Sequence, residues 1–171
     1  IKPTAKIKEA AQTMIEKKGR LVVLREGKLT GIITAADLIK SLPESPETAM
    51  KVDKVMTGRI VSVDESMTVA EVTRIMGEQR IGSVIVDRRG EHFGIFTERD
   101  LLTTFLAKGR SLETKVSEAA SHPLITIPLG MSVHETAVTM ATKHIRRLPV
   151  VDKGKIVGIV TARDLVEAYA K

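Results

Sequence analysis

The chain of 171 residues has no cysteine and no tryptophan. Without thiols there can be no disulfides, thiolate metal ligands or cysteine nucleophiles, nothing points to an oxidising compartment, and the cytoplasm is the expected location. Aromatic residues are scarce, three Phe and one Tyr, so the stacking platforms that hold single-stranded bases are missing. Apolar runs such as 21–24 (LVVL) and 83–86 (SVIV) fall far short of the roughly 18 residues needed to span a bilayer, and no secretory leader is present. The four histidines, His92, His122, His134 and His144, never lie one helical turn apart, so no metal site is expected. There is no Gly-x-x-x-x-Gly-Lys-Ser/Thr loop for nucleotide hydrolysis, and no nucleophile and base recur together. These absences point to a binding protein and not to an enzyme. The first residue is Ile1 and not Met, so the natural start is expected to be missing.

What is present is repetition. The string Gly-Ile-x-Thr-x-x-Asp-Leu occurs as GIITAADL at 31–38, GIFTERDL at 94–101 and GIVTARDL at 158–165. Residues 52–105 align with 116–169 at a constant offset of 64 without a gap. Each unit opens on a short extended segment, 60–63 (IVSV) or 124–127 (LITI). A capping box follows, Thr68 with Glu71 or Ser132 with Glu135, and such boxes start helices. Behind them Val69, Val72 and Met76, or Val133, Ala137 and Met140, recur at helical spacing and predict one inward face. Two short strands then flank a polar turn at Gly90 or Gly154, and the repeated Thr begins a second helix.

The fold class is therefore α/β, built of repeated β-α-β-β-α units, two of which bury their sheet faces against each other. Repeat one spans 1–42 with its front truncated, since Ile1 corresponds to Val63 and Ile127; a linker covers 43–51, repeat two 52–107, a second linker 108–115 and repeat three 116–171. Repeats two and three, consecutive and gaplessly related, are expected to form the closed pair. Repeat one is then left without a partner, to be met by a fourth repeat upstream of Ile1 or by pairing in a homodimer.

Thr-x-x-Asp alone is a helix start, with a hydroxyl at the N-cap and an acid three residues on. Capping does not require the same eight-residue string three times, so a ligand site is the second reading. Free amides at a helix start attract anions, a carboxylate there accepts hydrogen bonds from a sugar diol, and a threonine hydroxyl can donate to phosphate. A ligand with ribose and phosphate is a nucleotide. In repeat three Arg146 and Arg147 precede a strand next to the motif and Arg163 lies within it; guanidinium groups bind phosphate with charge assistance. Repeat two keeps Arg99 but has Gly82 and Ser83 in place of the paired arginines, while repeat one has Arg20 beside Gly19 and Ala36 inside the motif. Phosphate affinity is expected to rank repeat three first.

With these motifs and the strand RRLPVVD (146–152), nearly the whole chain resembles a set of CBS (cystathionine beta-synthase) domains, two of which in tandem make a Bateman module. The resemblance implies regulatory clefts for adenosine-containing ligands: AMP, ADP, ATP or S-adenosylmethionine. It implies ribose contacts for Asp164, Asp100 and Asp37, and a phosphate side made by Thr161, Thr97, Thr34, Arg146, Arg147, Arg163, Arg99 and Arg20. Adenine would be bordered by Ile125, Thr126, Ile127, Pro149 and Ile159, and in repeat two by Ile60, Val61 and Ser62. No cofactor is implied beyond an adenine nucleotide as regulatory ligand, and the expected partners are that nucleotide, a second copy in a homodimer and an effector. The net charge of +6 keeps a nucleic-acid-binding module as an alternative, beside a structural dimerisation module with empty clefts and an S-adenosylmethionine sensor.

Overall fold

The computed structural model describes residues 1–171, which divide into two compact units, one of residues 1–58 with 126–171 and one of residues 59–125. No helix is long and apolar enough to cross a membrane. Repeat one contributes α1 (Ile7–Glu16), β1 (Leu21–Arg25), β2 (Lys28–Ile33) and α2 (Ala35–Leu38), and the segment after it forms α3 (Pro46–Ala49). Repeat two follows as β3 (Ser62–Asp64), α4 (Val69–Gln79), β4 (Ser83–Arg88), β5 (Glu91–Thr97) and α5 (Glu98–Asp100). Repeat three gives β6 (Ile127–Pro128), α6 (Val133–Lys143), β7 (Arg147–Asp152), β8 (Lys155–Thr161) and α7 (Ala162–Ala170). The β-α-β-β-α order predicted from the sequence holds in repeats two and three.

Local chemistry explains the repetition. The hairpin turns Glu26-Gly27, Arg89-Gly90 and Lys153-Gly154 all have positive φ at both residues, the geometry that matches the twist of two antiparallel strands across a two-residue loop. The first parallel strand pairs with the hairpin, β3 on β4 and β6 on β7. In repeat one only Ile1 stands in that place, accepting a bond from Leu24 N–H and donating its own ammonium to the Val22 carbonyl. The predicted capping boxes form in full: the Thr68 and Ser132 amides donate to Glu71 (2.7 Å) and Glu135 (2.9 Å), whose amides donate back to the hydroxyls. Val69, Val72, Met76, Val133, Ala137 and Met140 are all buried.

Within the first unit, repeat one is not without a partner, contrary to the sequence expectation. Its Ala10, Ala11, Met14, Leu38 and Ile39 share one buried cluster with Val133, Met140, Leu165 and Val166 of repeat three, and α1 packs along α7. Gln12 reaches the Ala170 carbonyl at 3.3 Å. The small side chains on α1 let the helices approach closely, and no signal in the repeats themselves says which copies share a helix face. The linker 43–51 is likewise ordered: Ser45 caps α3, Thr48 is fully buried with its hydroxyl donating to the Pro43 carbonyl at 2.7 Å, and Lys8 bonds Glu47 at 2.6 Å.

The leading segments of repeats two and three are exchanged. Within the first unit Thr57, from the start of repeat two, exchanges two backbone bonds of 2.9 Å with Ile159 on β8. Within the second unit Ser121, from the start of repeat three, exchanges two backbone bonds of 3.0 and 2.8 Å with Ile95 on β5. The linkers also supply carbonyls to helix starts, Met50 to the Val133 amide and Thr114 to the Val69 amide, satisfying donors that a helix cannot satisfy itself.

This exchange fixes the glycine of the repeated string. A Cβ on Gly94 would lie 2.7 Å from the Ser121 carbonyl oxygen, and one on Gly158 would lie 3.1 Å from that of Thr57, whereas one on Gly31 would meet nothing within 4 Å. Gly94→Ala should therefore destabilise the chain by about 1–3 kcal/mol through overpacking, while Gly31→Ala should be neutral or stabilising by up to about 1 kcal/mol; urea titration of both variants checks this. A second expectation concerns acid. The hydrogen bond from Lys8 lowers the Glu47 carboxyl from its ordinary 4.5 to about 2, so the stability it contributes is present above the ordinary value and is lost as pH falls through about 2. Urea midpoints taken between pH 5 and 2 should fall less steeply for Glu47→Gln than for the parent.

Candidate functional site

The repeated Thr ends an extended strand, and the next residue begins a helix. In repeat three the Thr161 amide donates to Asp164 Oδ2 at 2.7 Å, its hydroxyl donates to the same oxygen at 2.8 Å, and the Asp164 amide reaches the hydroxyl at 3.4 Å. Repeat two repeats this with Thr97 and Asp100 at 2.9, 2.7 and 3.3 Å. In repeat one Thr34 bonds Asp37 Oδ2 through its amide at 3.0 Å and its hydroxyl at 2.6 Å, while the Asp37 amide goes to the Thr34 carbonyl. The capping reading thus holds in full for repeats two and three, and in repeat one through the Asp37 carboxylate alone. It uses a single carboxylate oxygen.

What remains differs between copies. Asp37 Oδ1 meets Lys40 Nζ at 3.4 Å, and the Thr34 hydroxyl first, then the Thr34 amide and Lys40, hold its carboxyl below the usual carboxylate range. In repeats two and three the Oδ1 atoms of Asp100 and Asp164 lie outside the cap. The threonine hydroxyl hydrogens are directed to these carboxylates, so in this arrangement the hydroxyls do not offer a proton to a phosphate. The donor left at the helix start is the Arg163 amide, because the Ala162 amide bonds the Arg146 carbonyl at 2.9 Å and the Asp164 amide bonds Thr161.

The strand register brings further predicted residues to this point. Arg147 lies directly across from Thr161 in the β7–β8 pair, and Arg146 is joined to Ala162 through its carbonyl. The same places in repeat two hold Ser83, across from Thr97, and Gly82, bonded to the Glu98 amide. Arg20 stands just before β1, outside the β1–β2 pairing, and is exposed, as are Arg99 and Arg163. Pro149 and Ile159 are cross-strand neighbours, with Pro149 buried and Ile159 half-buried. Ile127 is 2% exposed and belongs to the core of the first unit, so its side chain serves packing, whereas Ile125 and Thr126 are exposed. Of the residues named in repeat two, Ser62 is exposed and Ile60 and Val61 are half-buried.

Sequence reasoning missed Met56 and Thr57, which lie over Gly158, and Ala120 and Ser121, which lie over Gly94. The signal was available, since 52–57 (VDKVMT) and 116–121 (VSEAAS) are related at the same offset of 64. Nothing in that pattern tells that each segment crosses the sheet of the other repeat.

The profile of the CBS domain matches residues 1–44, 52–107 and 116–171. The chain belongs to the CBS domain family, which is built of regulatory ligand-binding modules. A protein of Methanopyrus kandleri is 36% identical over 122 residues, which make up 70% of this chain and 62% of that protein. Among solved structures, a conserved protein of Pyrococcus horikoshii superposes with a TM-score of 0.77 at 27% identity, covering 98% of this chain and 77% of its own. A protein of Methanocaldococcus jannaschii, described as a proposed archaeal homologue of γ-AMPK, superposes with a TM-score of 0.76 at 25% identity, covering 99% of this chain and 66% of its own. The chain thus spans less than two thirds of the M. kandleri relative and about two thirds of the M. jannaschii one.

If the threonine acts as a cap, Thr161→Val should cost about 1 kcal/mol of stability, and Thr97→Val a similar amount. Thermal melts of the two variants beside the parent test this.

Proposed function

We propose that the chain is a regulatory module that binds an adenine nucleotide (AMP, ADP or ATP) at the helix start of repeat three, with weaker binding at repeat two. The observation that carries this reading is the divided carboxylate: Asp164 Oδ2 caps its helix, which leaves Oδ1 to accept from the two hydroxyls of a ribose. The cap holds that oxygen in place before any ligand arrives, so ordering costs little on binding. The Arg163 amide at the positive end of α7 suits the phosphate, and Arg146 and Arg147, set beside Thr161 by the strand register, supply charge that Gly82 and Ser83 do not. The likeness to a proposed γ-AMPK homologue agrees with a nucleotide and with a non-catalytic role in which ligand occupancy biases an effector. In repeat one Lys40 competes for the corresponding oxygen of Asp37, so this copy is the weakest site. The absence of thiols fits a reducing cytoplasm.

Calorimetric titration with AMP, ADP, ATP and S-adenosylmethionine tests the proposal. Asp164→Ala removes charge-assisted bonds worth about 1.5–3 kcal/mol and should weaken nucleotide binding roughly ten- to a hundredfold. Asp100→Ala should weaken it less, although both variants lose a cap and should lose similar stability, about 1 kcal/mol. Unchanged affinity in Asp164→Ala would remove the ribose role. Binding of short RNA that collapses with salt, in place of nucleotide binding, would favour the nucleic-acid reading.

A further inference from the structure

The positive charge of the chain is not shared equally among its repeats. Repeat one (1–42) holds nine Lys and Arg against four Asp and Glu, a net +5 out of the +6 of the whole chain. Repeat two (52–107) has seven against nine, and repeat three (116–171) seven against five. Of the nine cations in repeat one, Lys8 is paired with Glu47 and Lys40 with Asp37. The other seven are exposed and form no ion pair. Lys17, Lys18 and Arg20 stand just before β1, Arg25 ends it and Lys28 begins β2. Lys2 follows Ile1, which is bonded to Val22 and Leu24 of β1, and Lys6 precedes α1.

The pair that closes the first hairpin sets it apart from the other two. Arg25 lies directly across from Lys28, and like charges in that position repel. The same place holds Arg88 across from Glu91 in repeat two and Asp152 across from Lys155 in repeat three, opposite charges that attract. Repeat one therefore carries a local repulsion that its counterparts lack, and a bound anion relieves it. The residue types narrow the kind of anion. Five of the seven unpaired cations are lysines, and repeat one has no aromatic residue. Protein interfaces are depleted in Lys and enriched in aromatic residues, and single-stranded nucleic acid is held largely by stacking on aromatic rings. Lysines without rings suit the phosphate backbone of a duplex, where charge alone supplies non-specific affinity.

We propose that repeat one binds the phosphate backbone of double-stranded nucleic acid through the cations at the two ends of β1, a surface separate from the nucleotide site of repeat three. β1 has five residues, so the group of Lys17, Lys18 and Arg20 and the group of Lys2, Arg25 and Lys28 lie about 17 Å apart. A duplex carries one charge per about 1.7 Å of its axis and places about ten charges over that length, enough for both groups to meet phosphates at once. Between them the exposed side chains of Val22 and Leu24 offer no hydrogen bond to a base edge, so the contact carries no sequence preference. Glu16 and Glu26, the acids beside the two groups, offset part of the attraction and leave it dependent on low salt.

The test titrates the full 171-residue chain into a fluorescent DNA duplex of about 20 bp and reads anisotropy at several salt concentrations. Log K should fall linearly with log salt, with a slope of about −4 to −6. Lys28→Glu gives the first hairpin the opposite-charge pair of its counterparts; it should melt higher than the parent and yet bind the duplex about tenfold more weakly, with a slope shallower by about 1 to 2. Lys17→Gln with Lys18→Gln should make the slope shallower by about 2, whereas Lys153→Gln with Lys155→Gln in repeat three should leave it unchanged. Parent-like binding in Lys28→Glu, or an equal loss in the repeat-three variant, overturns the proposal, the latter because the charge then acts diffusely. Polyglutamate of matched charge that binds as tightly as the duplex overturns it in favour of an acidic protein. Saturating AMP should not displace the duplex, and displacement would put both ligands in one cleft and overturn the separate surface. Nucleotide affinity should be the same in Lys28→Glu as in the parent, so the two proposals fail independently.

Discussion

The constraint on which the rest of the structure depends is the passage of one backbone over another at Gly94 and Gly158. Each crossing segment belongs to the leading end of a different repeat from the sheet it crosses, and it is held there by a reciprocal pair of backbone bonds at Ile95 or Ile159. Because side chains alternate along a strand, the register that places glycine under the crossing also fixes which residues of β5 and β8 point into the core: Phe96 and Val160 are fully buried. The strand then has only one way to reach its end at Thr97 or Thr161. A slip of one residue would put a bulky side chain, Phe93 or Ile95 in β5 and Val157 or Ile159 in β8, against a carbonyl oxygen and turn the buried set outward. Fold and site are thus specified by the same contact.

The capping and ligand accounts of Thr-x-x-Asp, which look exclusive in the sequence, are compatible in the structure because a carboxylate has two oxygens. Capping consumes Oδ2 and orients the group. In repeat one the other oxygen is engaged by Lys40, in the 3-10 turn that follows α2, so a single substitution pattern separates a copy that can serve as structure alone from copies that keep an acceptor outside the cap. The shared motif marks a scaffold, and the residues around it decide what each copy does.

Much of this was legible from residues alone. The constant offset, the capping boxes, the two-residue turns at Gly90 and Gly154 and the inward faces of α4 and α6 all follow from local chemistry, and local chemistry is what a sequence displays. Ile127 reads as a ligand neighbour only until its burial is known. That repeat one packs against repeat three went unforeseen for a different reason. Near-identical repeats present near-identical faces, so the apolar pattern of α1 fits α7 as well as it would fit any other copy, and its Ala10-Ala11 step gives no address. The segment 43–51 reads as a loose linker from its two prolines, yet Thr48 buries its hydroxyl by bonding the chain's own Pro43 carbonyl, a solution that composition does not reveal.

The two closing helices show how context acts on one motif. After Thr161 the chain runs as a regular α-helix to Ala170, with Val166 fully buried in the cluster that α1 joins. After Thr97 the corresponding stretch passes from a single α-turn into a π-helical turn at Leu101–Phe105 and then a tighter one at Leu106–Lys108. Leu102 and Leu106, at the places of Val166 and Ala170, are 56% and 55% exposed. Helical regularity in short segments comes mainly from packing of an amphipathic face, and α7 has such a partner in α1. The repeat-two helix keeps its inward anchor, fully buried Phe105, beneath the Arg110 guanidinium at 4.7 Å, and widens its turn where no side chain covers its outer face. The same Thr-x-x-Asp start therefore leads to a regular α-helix after Asp164 and to an irregular one after Asp100, so the motif fixes how the helix begins and the packing beyond it decides how the helix continues.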